Sequence, residues 1–153
     1  MRNEGLIEFG TAAVELEPLP IRPQWIIEGA PTANAKIVSR SSDGTARTVV
    51  WDCTAGRFNW HYDDYDETIY VLEGSARIKT TSGEGRLVSA GETVLFRAGS
   101  VAEWTVDAYI RKIAFFRNPV PKYALLAIGI VRVFRRSIGL GRSAPLDAIQ
   151  ADL

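Results

Sequence analysis

Short runs of apolar and β-branched residues, separated by polar turns, fill the chain between residues 35 and 117. The runs are Lys36–Arg40, Arg47–Cys53, Phe58–Tyr62, Thr68–Leu72, Ala76–Thr80, Arg86–Val88, Thr93–Phe96, Glu103–Val106 and Tyr109–Phe116. Glycine-bearing turns fall between most of them, a spacing that predicts an antiparallel sandwich or barrel. None of the connecting segments shows helical periodicity, which argues against an α/β fold.

The first 34 residues have a different character, because prolines interrupt any regular pattern. They are Pro18, Pro20, Pro23 and Pro31. Proline lacks a backbone N–H and fixes its own φ angle, so long strands or helices are disfavoured here. We expect residues 1–34 to form an irregular arm lying over the domain, with one short strand near residues 25–27.

A third segment, residues 118–153, begins with an unbroken apolar run at 123–131. Arginines follow at helical spacing, at Arg132, Arg135 and Arg136. Three and four residues apart, they share one helix face near its C-terminal end, where cations are favoured. The sequence predicts a C-terminal helix and then a loose tail; the apolar run is shorter than the roughly 20 residues of a membrane span. The expected domains are thus an arm (1–34), a barrel (35–117) and a helical segment with its tail (118–153).

Composition narrows the classes of protein to which the chain can belong. Its 153 residues fit one domain, and 18 basic and 18 acidic residues give no net charge. Nucleic-acid binding is therefore not expected, because such domains carry a basic excess. The single cysteine, Cys53, excludes an intramolecular disulfide. Together with an N-terminus that lacks the apolar segment of a secretory signal, this predicts a cytoplasmic protein.

The charge is unevenly distributed along the chain. Five acidic residues and no Lys or Arg lie between His61 and Gly74, whereas eight basic residues and no acid lie between Arg111 and Arg142. The basic C-terminal segment is expected to pack on its own barrel or on a partner subunit. Contact with an anionic membrane surface or with an acidic partner is the alternative.

Two sequence blocks carry a family resemblance. The first, residues 56–74, places Glu67 seven positions before Gly74 in a Tyr-Val-Leu-Glu-Gly ending. The second, residues 91–106, contains Gly91 followed by Arg97-Ala-Gly99. The blocks resemble the two motifs of the cupin superfamily, which implies an all-β fold: a single small jelly-roll barrel of two antiparallel sheets around an interior site. 

Further residues resemble one branch of that superfamily, the ethanolamine-utilisation and ureidoglycine aminohydrolase cupins. They are Trp60-x-Tyr62, Asp66-Glu67, Trp104-Thr-Val106 and Arg111-Lys112. Metal-binding cupins use a His-x-His pair and a glutamate from the first motif and a histidine from the second. Counting back from Glu67, one register puts His61 and Asp63 in the paired positions, and another puts Trp60 and Tyr62 there. The branch resemblance favours the second register.

In both registers Ala102 stands at the position of the second-motif histidine. With Trp60 and Tyr62 facing inward, the site is degraded and no cofactor is expected. The alternative is one divalent metal (Mn, Fe, Ni or Zn) held by His61, Asp63 and Glu67, an imidazole and two carboxylates resembling a facial triad.

The candidate ligand-binding residues are Trp60, Tyr62, Glu67, Phe96 and Trp104. A carboxylate walled by aromatic rings loses hydration, which favours its protonated form and suits an acid/base role. Glu67 and Tyr62 are therefore the candidate catalytic residues. The aromatic residues are also what an ordinary barrel core requires, and this alternative stays open for each of them.

These observations favour a small-molecule-binding cupin, a metal-free binding or accessory protein that forms a homodimer. The alternative is an enzyme that acts on a small polar metabolite bearing nitrogen or a carboxylate, with aminohydrolase- or isomerase-like chemistry.

Overall fold

The computed structural model describes residues 7, 9–80, 83–119, 124, 126 and 130. Within this part of the chain there are eight strands and one 3₁₀ turn at Pro23–Trp25. The strands are β1 (Glu17–Pro18), β2 (Ile26–Glu28), β3 (Ala33–Arg40), β4 (Ala46–Tyr62), β5 (Asp66–Thr80), β6 (Arg86–Ser89), β7 (Thr93–Phe96) and β8 (Ser100–Arg117). The predicted all-β fold is confirmed. The predicted C-terminal helix and tail lie outside the described residues, except that Ala124, Leu126 and Ile130 are described and helical.

Three long strands hold the fold together: β4, β8 and β5, of 17, 18 and 15 residues. Strand β8 pairs antiparallel with both others along nearly its whole length. At one end of these three strands, β3 pairs with β4 and β1 with β3, while β7 pairs with β5. At the other end, β2 pairs with β4 and β6 pairs with β5. The hydrogen-bonded sheet therefore has two halves, β1-β3-β4-β8-β5-β7 and β2-β4-β8-β5-β6.

The pairing register of the long strands shifts at two places. The pairing of β4 with β8 shifts between Thr54 and Gly56, and the pairing of β5 with β8 shifts between residues 71 and 77. Gly74 lies there with φ at 72°, and a Cβ atom at this position would stand 2.0 Å from the carbonyl oxygen of Tyr109. Only glycine tolerates that approach. Short runs predicted as separate strands, such as 47–53 and 58–62, are consequently halves of one bulged strand.

The two halves face each other across the core, in agreement with the predicted jelly roll. The ring of Trp51 in one half lies 6.0 Å from that of Trp104 in the other. The bulge in β4 reverses which positions point inward: Trp51 and Cys53 are buried before it, and Phe58 and Tyr62 are buried after it. An inserted residue has this effect because side chains alternate between sheet faces with a period of two.

The N-terminal arm is tied to the outer face of the sheet by Arg111. Its Nη2 atom donates hydrogen bonds to the carbonyl oxygens of Ala12 and Val14 at 2.9 and 3.0 Å. Its Nη1 atom lies 3.4 Å from Oδ2 of Asp52, which also accepts a hydrogen bond from the Tyr109 hydroxyl at 3.0 Å. Arm and sheet are therefore joined through a network with several partners.

Candidate functional site

An apolar cavity lies between the two halves of the sheet and is partly open to solvent. Its walls are formed by Leu19, Val49, Trp51, Phe58, Trp60, Tyr62, Glu67, Trp104, Lys112, Ala114 and Phe116. The cavity and its open mouth together contain about 370 Å³ of empty space, and the centre of a water molecule can occupy about 40 Å³ of that space. One water molecule needs about 10–15 Å³ of the volume that its centre can occupy. The enclosed part therefore has room for a ligand of only a few non-hydrogen atoms.

A buried ion pair stands in the cavity wall. Lys112 on β8 donates from Nζ to Oε1 of Glu67 on β5 at 2.5 Å. The side chains are 7% and 1% exposed. Charged groups this deeply buried are rare unless paired, and removing one partner leaves an uncompensated charge in an apolar setting.

Two tryptophans form an aromatic cage around the ammonium group. The Lys112 Nζ atom lies 4.8 Å from the ring centroid of Trp51 and 4.9 Å from that of Trp104. Ring faces attract cations, most strongly where water is excluded. The cavity therefore holds the ammonium by a carboxylate and two aromatic rings together.

Tyr62 is fixed within the same wall by stacking and by a hydrogen bond. Its ring stacks on Phe96 with centroids 4.4 Å apart, and Trp104 Nε1 donates to its hydroxyl oxygen at 3.2 Å. Burial raises the pKa of Tyr62 well above its ordinary value, and the nearby charge of Glu67 raises it further. The phenol accordingly stays protonated at neutral pH.

The indole of Trp51 leaves one donor unused. Its Nε1 atom is buried and has no hydrogen-bond partner among the described residues. An unsatisfied buried donor costs about 1–3 kcal/mol. Because nearly all buried polar groups in folded proteins find a partner, this indole calls for an acceptor from a water or a ligand.

The structure brings four of the five predicted ligand-binding residues into the cavity wall: Trp60, Tyr62, Glu67 and Trp104. Phe96 lies behind Tyr62 as its stacking partner. Glu67 and Tyr62, the predicted catalytic pair, line the same cavity. These positions agree with the register in which Trp60 and Tyr62 face inward.

Lys112 is not among the predicted site residues and enters only through the Arg111-Lys112 resemblance, yet the sequence carries a signal for its position. Ile110, Lys112 and Ala114 alternate along β8 and are all buried. A lysine at an inward position between two apolar residues of a strand is unusual, because lysine is almost never buried without a partner. The pattern marks Lys112 as an interior cation that requires an anion close to it.

The residues present do not fit the divalent metal considered as an alternative. His61 points away from the cavity and stacks on Trp25, with centroids 4.8 Å apart, and Asp63 is exposed. The proposed triad with Glu67 is therefore not assembled, because the alternation that turns Trp60 and Tyr62 inward turns His61 outward. No group of three His, Cys, Asp or Glu residues suited to a metal occurs among the described residues. In the cavity, the Glu67 carboxylate already binds an ammonium.

Cys53 is fully buried in the core and is not among the residues that line the cavity. Burial raises the pKa of its thiol to about 12. Since the thiolate is the nucleophile, this cysteine is inert near neutral pH.

Comparison with known proteins gives the chain's relationships. Residues 40–114 match the EutQ-like cupin domain family. A protein of unknown function in the DUF861 family from Pseudomonas syringae pv. tomato is similar in structure, with a TM-score of 0.63 and 24% sequence identity over 69% of this chain and 46% of that one. The EutQ protein of Clostridium difficile gives a TM-score of 0.51 and 22% identity over 58% of this chain and 64% of that one.

A predicted oxalate decarboxylase from Thermotoga maritima gives a TM-score of 0.56 and 11% identity, covering 74% of this chain and 100% of that one. The chain spans less than two thirds of the length of the first two of these relatives. All three structures share its fold. No curated protein sequence matches the chain. In the part that the structure describes, no helix has the length and apolar character needed to cross a membrane.

Proposed function

The chain belongs to the cupin superfamily, in its EutQ-like branch, and from this premise we propose that its barrel cavity binds a small uncharged polar molecule without a metal ion. The observation that supports the proposal is the buried ion pair of Glu67 and Lys112 inside an aromatic cavity. The pair supplies an internal cation next to the carboxylate. Its presence also determines which ligands the cavity favours.

Charge selects against ionic ligands. Glu67 and Lys112 neutralise each other at 2.5 Å, and the remaining lining is made of apolar and aromatic residues. An ion entering this cavity would lose its hydration and find no free counter-charge, which is costly. An uncharged molecule avoids that cost.

Hydrogen bonding selects for an acceptor. Trp51 Nε1 lacks a partner within the described residues, and the Lys112 ammonium has three donors, of which Glu67 receives one. A carbonyl or amide oxygen is the group that matches these donors. The ligand class is therefore a small carbonyl- or amide-bearing compound with little apolar bulk.

Thermal denaturation with matched small probes tests this proposal. We expect acetamide to raise the melting temperature of the wild-type protein, whereas acetate and methylammonium at equal concentration do not. The variant Trp51→Phe keeps the ring but removes the donor, and it should weaken acetamide binding about tenfold. Equal responses to all three probes, or none to acetamide, would contradict an uncharged ligand.

Elemental analysis tests metal independence separately. Protein purified without a histidine tag and without chelator should contain Mn, Fe, Ni and Zn well below one equivalent. A stoichiometric metal that disappears in Glu67→Ala would overturn this part of the proposal.

The second candidate is an enzyme acting on a small polar metabolite that bears nitrogen or a carboxylate. It is favoured by one observation: Glu67, Lys112 and the protonated Tyr62 line one cavity and could exchange protons with a bound molecule. Incubation with a panel of such metabolites, followed by NMR, would reveal turnover. Turnover lost in both Glu67→Gln and Tyr62→Phe would favour the enzyme over the binding protein.

A homodimer is proposed from the outer face of the sheet. Cross-strand register places Leu95 and Phe115 on either side of Thr68, and both side chains are nearly half exposed. Light scattering should show a dimer that Phe115→Lys dissociates; a monomeric wild-type protein would refute it.

The cytoplasmic location and the contacts of the basic C-terminal segment stay predictions.

A further inference from the structure

We propose that Lys112 forms a reversible imine with small aldehydes and ketones that enter the cavity. The inference deepens the proposed function and rests on it, because the carbonyl compound must reach the same cavity. It assigns to Lys112 a covalent role that non-covalent binding does not require. The observations behind it are the position of the amine, its proton acceptor and the charge of the product.

The geometry supplies a nucleophile together with its base. Lys112 Nζ lies in the cavity wall, and the Glu67 carboxylate is its hydrogen-bond acceptor at 2.5 Å. Glu67 accepts one proton from the ammonium, which leaves a neutral amine facing the cavity. Desolvated lysines in apolar pockets are the ones that proteins use for this chemistry.

The reaction then proceeds without an oxidant, reductant or metal. The amine nitrogen bonds to the carbonyl carbon, and the carbonyl π electrons move to oxygen. One proton then passes from the nitrogen to this oxygen, which gives a neutral carbinolamine with a hydroxyl group. Glu67 returns its proton to the hydroxyl group as the C–O bond breaks, and water leaves. Overall, one carbonyl compound and one ammonium give one protonated imine and one water.

The charge of the cavity is the same before and after this reaction. The product is an iminium cation on the same nitrogen, opposite the same Glu67 carboxylate. The rings of Trp51 and Trp104, 4.8 and 4.9 Å from that nitrogen, stabilise either cation. No uncompensated charge is created in an apolar environment, so burial does not oppose the product.

The chain provides a matched comparison in Lys36. This lysine also pairs with a glutamate, Glu17, but the two side chains are 41% and 70% exposed. Water competes for both partners there, and no aromatic ring among the described residues lies over the ammonium. Any reactivity that Lys112 shows beyond Lys36 therefore comes from the cavity and not from a lysine–glutamate pair as such.

Reductive trapping tests the inference on the wild-type protein. Equimolar acetaldehyde and sodium cyanoborohydride at neutral pH convert each imine to a stable ethyl group, which peptide mass spectrometry assigns to a residue. We expect ethylation of Lys112 at least ten times faster than that of Lys36, and suppression of it by excess acetamide. In Glu67→Gln the Lys112 rate should fall while the Lys36 rate is unchanged.

Each result decides between definite conclusions. Labelling of Lys36 as fast as Lys112 overturns the imine, and if acetamide still stabilises the protein, the proposed binding function survives. Labelling of Lys112 that acetamide does not suppress also overturns the inference, because the aldehyde then reacts from outside the cavity. Because Lys112 and Lys36 are compared in the wild-type protein, the test stands even if Glu67→Gln fails to fold.

Discussion

Two neighbouring cations on β8, Arg111 and Lys112, serve opposite faces of the same sheet. Arg111 points outward, pairs with Asp52 and binds the arm. Lys112 points inward, pairs with Glu67 and lies in the cavity. Both ion pairs join a basic residue of β8 to an acid on an adjacent strand, but their surroundings differ.

The outer pair is surrounded by polar partners. Asp52 accepts hydrogen bonds from Asn34 and Tyr109 as well as from Arg111, and Arg111 also donates to two arm carbonyls. The inner pair, in contrast, has aromatic rings around it and an unused indole donor beside it. A network in which every group is satisfied fixes structure, whereas the inner pair leaves donors free for a ligand.

The largest expected effect comes from removing one member of the inner pair. Lys112→Met leaves the Glu67 charge buried without a partner, and it should lower the free energy of unfolding by about 3–5 kcal/mol. Urea denaturation measures this loss. The double variant Glu67→Gln/Lys112→Met removes both charges and should recover most of the stability; if it is no more stable than Lys112→Met, lost charge pairing is not the cause.

Removal of the outer cation should cost less. Arg111→Ala loses the hydrogen bonds to the arm, and we expect a decrease of about 1–3 kcal/mol in the free energy of unfolding. Cleavage of the arm by trypsin should become faster at the same time. Arg111→Lys keeps the charge near Asp52 but lacks the planar fork, so it should be intermediate. A loss as large as that in Lys112→Met would remove the distinction between the two faces.

The pH dependence provides a third comparison, through Tyr62 in the cavity wall. Because its pKa is raised in the folded state, its protonated form contributes stability that is complete below the unfolded pKa of about 10 and is lost as pH rises toward the folded value. Between these two pKa values, each pH unit removes about 1.4 kcal/mol of this contribution. The difference in unfolding free energy between wild type and Tyr62→Phe should therefore shrink with rising pH. Tyr70→Phe, at an exposed tyrosine, serves as the control. If its difference from wild type in unfolding free energy changed with pH as steeply as that of Tyr62→Phe, burial of Tyr62 would not be the cause.

The smallest effect is expected at the exposed pair of the arm. Glu17→Ala removes the contact with Lys36 between β1 and β3, and exposed pairs of this kind contribute about 0–1 kcal/mol. The change in urea midpoint should be less than half that of Arg111→Ala. If Glu17→Ala changed the urea midpoint as much as Arg111→Ala, the exposed pair of Glu17 and Lys36 would hold the arm as strongly as Arg111 does.

The strands were predictable because apolar alternation is set by burial of one face. The sequence predicts two strands at 68–72 and 76–80 with a turn between them, whereas the structure joins them in β5. Gly74 marks a bend within β5, and a glycine that permits a bend looks the same in sequence as one that permits a turn. The joining of short runs into long strands was therefore not visible.

The site was predictable only in part, for a related reason. Motif spacing identified Glu67 as an interior acid, since it depends on local sequence. Its partner Lys112 lies 45 residues away, and the pairing depends on how β5 and β8 meet. Inward alternation at Ile110 and Ala114 marks the lysine as unusual, but no local pattern shows which acid it reaches.

Leu19 belongs to the arm and also lines the cavity. Its backbone N–H donates to the carbonyl oxygen of Ala33 at 2.9 Å, beyond the stretch that Arg111 holds. For any ligand that touches Leu19, the apparent dissociation constant equals the intrinsic one divided by the fraction of molecules whose arm is docked. By the same thermodynamic linkage, such a ligand favours docking of the arm by an equal factor. Occupancy of the interior is in this way measurable from the outside of the barrel, as protection of residues 9–20 from hydrogen exchange.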